Sequence, residues 1–158
     1  MTSLVGGIAL LGLGALIGLS FSKKISNKKE FYKSLVSFNH DLLIEVEFPK
    51  KDLIYLLNKS YNSEDFNNVL AQKKEVIKGS YCDIIFPNYL NAIEQADLKD
   101  YFNKIGMQDS HTASMVLKRY GEIFSCLYSE LLEQEKVKGA LYKKMGVVLG
   151  LIACIIAV

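Results

Sequence analysis

KKMGVVLGLIACIIAV, residues 143–158, carries no charged side chain after Lys144. A run of this length falls between categories. A membrane-spanning helix needs about 20 apolar residues, whereas runs of about 10–14 are more often core or interfacial helices. The remainder of the chain supplies the context. Of its 158 residues, 50% are hydrophobic and the net charge is only +2. The charge is confined: residues 1–22 and 145–158 have none, so every Lys, Arg, Asp and Glu lies between Lys23 and Lys144. The chain therefore reads as a charged middle between two uncharged, hydrophobic ends.

The other end repeats the pattern. SLVGGIALLGLGALIGLSF, residues 3–21, is uncharged, and as a helix it would be about 28 Å long, close to the hydrocarbon thickness of a bilayer. A cleaved leader carries its positive charge before the apolar core. Here the cluster Lys23, Lys24, Lys28 and Lys29 follows it, and no small-residue cleavage site is seen, so the stretch reads as a retained anchor. Lysines beside a span stay cytoplasmic. Those four, together with Lys136, Lys138, Lys143 and Lys144 before the C-terminal run, agree on a hairpin with both termini outside and the charged domain inside. Lys143 and Lys144 can snorkel to the headgroups, which lets a second span cover 140–158. A helix dipping into one leaflet is the alternative. Each end also holds a GxxxG pair, Gly14 with Gly18 and Gly146 with Gly150. Small residues four apart let helix backbones approach closely. Pairing of the two ends, packing against another copy or a partner, and no specific role all remain open.

The interior reads as helical. Phe31, Leu35, Phe38 and Leu42 recur at steps of 3 and 4, the amphipathic period. VEFPKKD breaks that helix, because the residue before Pro49 is driven out of the α region. A short helix with Leu53, Ile54, Leu56 and Leu57 inward follows. Ser63 caps the next, which buries Phe66, Val69, Leu70, Val76 and Ile77 and ends at Gly79. A helix irregular around Pro87 is expected over 81–95, a short one capped by Asp97 up to Gly106, and a long one from Asp109 or Ser110. The long helix has the stripe Ala113, Val116, Tyr120, Ile123, Phe124, Leu127 and Leu131, and nothing before Val158 forces it to stop. The expectation is an all-α fold: a transmembrane helix over 3–21, a cytoplasmic bundle of about six helices over 22–139, and a transmembrane helix over 140–158.

Motifs for chemistry are sparse. No phosphate loop, nucleophile elbow or HExxH is present. His40 and His111 stand alone, and His111 reads as an exposed residue. Cys82, Cys126 and Cys154 form no pair with metal-ligand spacing and read as small buried residues. QKKEVIKG and VLKRYGE read as solvated helix faces rather than a nucleic-acid surface. No catalytic residue, metal or cofactor is expected.

In layout the chain resembles the stage III sporulation protein AB family of endospore-forming Firmicutes. YFNKIGMQDSHTASMVLKRY, residues 101–120, is similar to that family's turn before its long helix, where Gly106 and Asp109 would hold the turn. EQEKVKGALYKKMGVVLGLIACIIAV, residues 133–158, resembles its charged helix and glycine-rich apolar end, with Gly139, Tyr142, Lys143 and Gly146 at matching places. VEFPKKDLIYLL, residues 46–57, is a looser match. The long helix is less charged than is usual in the family. The resemblance implies a non-enzymatic platform in the mother-cell membrane during sporulation, within an export or channel complex. Its cytoplasmic bundle would be similar to that of the type II secretion platform protein F. The implied partners are a secretion-type ATPase of the same operon, other membrane components of the channel and the bilayer. No nucleic acid is implied, and a homo-oligomer stays open. The rival readings are a platform of another type II secretion or pilus-like system and a small membrane enzyme or transporter. The last is disfavoured because neither apolar end carries an ionisable residue to line a pathway.

Overall fold

The computed structural model describes residues 2–48, 52–79, 83–105 and 110–139, with isolated positions 141, 144, 145 and 148 beyond; over 2–19, at 21 and 110, and over 138–139 it describes the backbone alone. The described residues are all-helical. The order is α1 (Thr2–Glu47), α2 (Leu53–Leu57), α3 (Glu64–Ile77), α4 (Ala92–Lys104) and α5 (Ser110–Gln134), followed by a π-helical turn, Glu135–Gly139. Among the described residues, no helix is long and apolar enough to cross a membrane. Residues 3–21 belong to the backbone of α1. The expected second span, 140–158, lies outside the described residues apart from the isolated positions above.

The chain divides into two compact units. Residues 28–129 form one; 1–27 together with 130–158 form the other. In the first, the α1 seam is buried as its spacing requires: Phe31, Leu35, Phe38 and Leu42 are at most 5% exposed. The rings of Phe31 and Phe38 continue into an aromatic core. Phe66 meets Phe31 at 5.4 Å and Phe38 at 5.7 Å edge-on, and Tyr101 meets Phe102 at 5.2 Å and Phe124 at 5.0 Å. Edge-to-face pairs of this kind add about 0.5–1.5 kcal/mol beyond the area they bury.

Two buried polar residues on α1 tie the other helices to it. Ser34 Oγ accepts from the Ser63 backbone N–H at 3.0 Å, which fixes the start of α3. Ser63 in turn caps α3, its Oγ accepting from Phe66 N–H at 3.3 Å. Five residues on, Asn39 Nδ2 donates to the Leu117 carbonyl of α5 at 2.9 Å, and Asn39 Oδ1 accepts from the Tyr101 hydroxyl of α4 at 3.0 Å. On α3, two side-chain amides each grip a passing segment at both of its backbone groups. Asn67 Oδ1 accepts from Tyr61 N–H and Asn67 Nδ2 donates to Tyr61 O, both at 2.8 Å. Gln72 Oε1 accepts from Ile85 N–H at 2.7 Å, and Gln72 Nε2 donates to Ile85 O at 3.4 Å. Gly79 ends α3 with φ +98°, a left-handed conformation that glycine adopts without Cβ strain.

Several expectations need correction. No helix covers 83–88. Pro87 presses Phe86 out of the α region, the turn closes with Leu90 N–H on Pro87 O at 3.1 Å, and α4 starts at Ala92. The start is set by a capping box: Asn91 Oδ1 accepts from Glu94 N–H, and Glu94 Oε2 accepts from Asn91 N–H, both at 2.9 Å. Asp97 therefore lies within α4 rather than capping a helix of its own, and one helix replaces two. Ile54 is 46% exposed and Ile77 41%, because α2 is short and Ile77 falls past the end of the core. Lys73 takes the expected place of Ile77, 4% exposed in register with Phe66, Val69 and Leu70. Its stem covers the core while burial lowers the ammonium pKa. Cys126 is exposed, since it falls on the outward flank of α5 away from Phe124; Cys82 and Cys154 lie outside the described residues.

Candidate docking groove

The long stripe of α5 is only half used by the core. Leu117 and Phe124 are 5% and 2% exposed. Val116, Tyr120 and Leu127 are half-buried, and Ile123 is 43% exposed. The open flank forms one wall of a groove of about 310 Å³ within the unit 28–129. Its floor is Tyr32, Leu98 and Phe124, and its other wall is α4, with Glu94, Asp97, Asp100 and Lys104. The carboxylates follow at intervals of three, so they share one side of α4.

Three of the groove's five charged side chains, Glu94, Asp100 and Lys104, are paired. Glu94 and Asp97 act on the Tyr32 phenol, whose pKa is raised chiefly by burial and then by these carboxylates. Lys28 neutralises Glu94, with Nζ 2.6 Å from Oε1; Asp97 is exposed and has no ion pair among the described residues. One turn further along α4, Asp100 accepts from Lys104 at 2.5 Å and from the Tyr120 hydroxyl at 2.7 Å. These bonds hold the Asp100 carboxyl below its usual range, Lys104 first, and raise the Lys104 ammonium. Arg119, the chain's single arginine, also lines the groove, exposed and without an ion pair among the described residues. The groove thus offers an apolar floor, with one carboxylate and one guanidinium that have no ion pair among the described residues.

A second, polar cleft of about 380 Å³ is lined by Lys33, Ser37, His40 and Lys59 among others. Within it Asp41 is occupied by Lys59 at 2.6 Å and Tyr61 at 2.7 Å. His111 is exposed in the first turn of α5. Among the described residues, no three His, Cys, Asp or Glu side chains are grouped to hold a metal.

Of the sequence-stretch candidates, Gly14 and Gly18 fall in the α1 backbone, and Gly106, Asp109, Gly146, Gly150 and Lys143 lie outside the described residues. Lys23, Lys24 and Lys144 are exposed. Lys29 meets Glu30 at 3.1 Å. Lys28 is the ion-pair partner of Glu94. The groove itself was not anticipated. Its signals were present in the N-x-x-E capping box and in a stripe on α5 too broad for one packing face. No protein-family model matches this chain, and neither a curated protein nor a solved structure matches it.

Proposed function

We propose that the chain is a non-enzymatic, membrane-anchored helical platform. The domain 22–139 faces the cytoplasm between anchors at 3–21 and 140–158, with both termini outside. It docks a secretion-type ATPase of the same operon within a sporulation-specific export or channel complex in the mother-cell membrane. One observation carries the anchoring: both apolar ends group in one compact unit, while the charged middle forms another around its own aromatic core. That is the division expected of a hairpin anchor bearing a separately packed domain. The half-open groove on α4 and α5 supports a docking role, and the identity of the partner rests on the resemblance of residues 101–120 and 133–158. Titrating the full-length chain, in detergent or lipid nanodiscs, with the secretion-type ATPase of the same genome tests the reading. Saturable binding with altered ATP turnover is the expected result. A folded chain that leaves the ATPase unbound and its turnover unchanged would reject the partner.

A further inference from the structure

We propose that the polar cleft between α1 and the segment 58–63 binds a phosphate group, free or as a phosphomonoester. The cleft lies within the unit 28–129, and the inference stands apart from which partner the platform docks.

Three features lead there. The first is the lining. Every side chain around this cleft of about 380 Å³ carries a polar group, so the site suits a hydrophilic ligand. The second is surplus positive charge. Asp41 is the one carboxylate in the lining, and its Oδ2 accepts from both Lys59 Nζ at 2.6 Å and the Tyr61 hydroxyl at 2.7 Å. Lys33 and His40 are exposed and have no ion pair among the described residues. They stand seven residues apart on α1, two turns along one helical face. Lys33 and Lys59 against Asp41 leave the lining with a net charge of +1 before His40 takes a proton. The third is the fixed position of the facing segment. Asn67 holds Tyr61 at both backbone groups, and Ser34 holds the Ser63 N–H. Asp41 and the Tyr61 ring, 5.4 Å from Lys59 Nζ, in turn hold the Lys59 ammonium.

A held ammonium loses less freedom when a ligand arrives. Lys59 gives one of its three N–H donors to Asp41, and the others stay available. Ser60 Oγ accepts from Asn67 at 3.5 Å, which leaves its O–H to donate. With the Lys33 ammonium and the Asn62 amide, these make a set of donors drawn from two elements, the set that phosphate oxygens take. A metal cation would meet two ammonium groups instead.

The chain has two histidines, His40 and His111, so one imidazole reports on the cleft and the other serves as its control. Inorganic phosphate and glycerol 3-phosphate are titrated against the full-length chain, isotope-labelled at histidine, in phosphatidylcholine nanodiscs. The pH is held at about 7.5, where a phosphomonoester is doubly charged. The expected result is a saturable shift of the His40 resonances with those of His111 unmoved. Lys33→Gln should weaken binding roughly tenfold or more, whereas Lys99→Gln, which removes the same charge outside the cleft, should leave it unchanged. Both lysines are exposed, so unchanged melting temperatures verify folding. Should Lys33→Gln lower the melting temperature, the contrast between His40 and His111 in the wild-type chain decides alone. A parallel arm replaces part of the lipid with phosphatidic acid. A His40 shift there, without one from the soluble probes, would assign the phosphate to a lipid headgroup; a shift from the soluble probes assigns it to a free ligand. The inference is overturned if no probe moves His40, if His40 and His111 shift alike, or if Lys33→Gln and Lys99→Gln weaken binding equally or not at all.

Discussion

At the scale of single residues, the junction of α1, α4 and α5 depends on Asn39 and on the absence of a side chain at Gly121. A Cβ built at Gly121 would lie 2.9 Å from Asn39 Nδ2, and Asn39 cannot yield without releasing Leu117 O and the Tyr101 hydroxyl. Gly121→Ala in a helix ordinarily gains about 1 kcal/mol. Here the loss of buried hydrogen bonds, about 1–3 kcal/mol for a group left unsatisfied, outweighs the gain. Thermal unfolding should show Gly121→Ala as destabilising by about 1–2 kcal/mol. In an Asn39→Ala background the same change should become stabilising; stabilisation in the wild-type background would disprove the close approach. In the sequence Gly121 is simply a glycine within a helical stretch. Its purpose depends on a residue 82 positions earlier, which no local pattern reveals. Lys73 has the same lesson in reverse: a lysine in a basic run reads as solvated, and only the register with Phe66 and Leu70 shows that its stem is enclosed.

At the scale of elements, the chain's punctuation was legible where one signal acted alone. Ser63 and Gly79 bound α3 as expected, and the α1 seam was plain from its spacing. Between Pro87 and Gly106 two signals competed, and the Asn91–Glu94 box won over Asp97. Asn91→Ala should therefore cost about 1 kcal/mol, whereas Asp97→Ala should leave thermal stability nearly unchanged; a larger cost at Asp97 would mean that the start of α4 is misplaced. Ser63→Ala should cost about 1 kcal/mol likewise, with Ser34 still holding the Ser63 N–H. The α5 stripe was visible as hydrophobic period, but periodicity cannot separate a flank that feeds the core from one left open. That division follows from where α4 approaches, and α4 was the element misread.

At the scale of the whole molecule, two measurements apply. Topology is accessible through Cys126, which is exposed. With Cys82 and Cys154 changed to Ser, a membrane-impermeant maleimide should label Cys126 only after permeabilisation, and a Ser3→Cys variant free of other cysteines should label in intact cells. Labelling of Cys126 in intact cells would invert the proposed orientation. Alkaline stability is the second. Burial raises the Tyr101 phenol well above its ordinary value, and Tyr32, Tyr61 and Tyr89 shift in the same direction. Below about pH 10 folded and unfolded chains both keep these protons, so the contribution is complete. Above it the unfolded chain ionises while folded Tyr101 does not, so stability falls with rising pH by about 1.4 kcal/mol per unit from that residue. Tyrosinate absorbance should therefore rise together with loss of helix; tyrosines that titrate freely in a helical molecule would contradict their burial.

The paired amides of Asn67 and Gln72 have a kinetic consequence. Each presents a passing segment with one donor and one acceptor, as a neighbouring strand would, but from a side chain that can swing away. The Ile85 amide proton, held by Gln72 among the described residues and beside a side chain that is 73% exposed, should thus exchange with solvent through the opening of this one clasp, without α3 unfolding. Phe86, whose ring lies 6.3 Å from Phe102, would be released in the same event. A protease site in this extended stretch would then report a latch rather than the global stability of the domain. Gln72→Ala should speed cleavage there while leaving the melting temperature almost where it was.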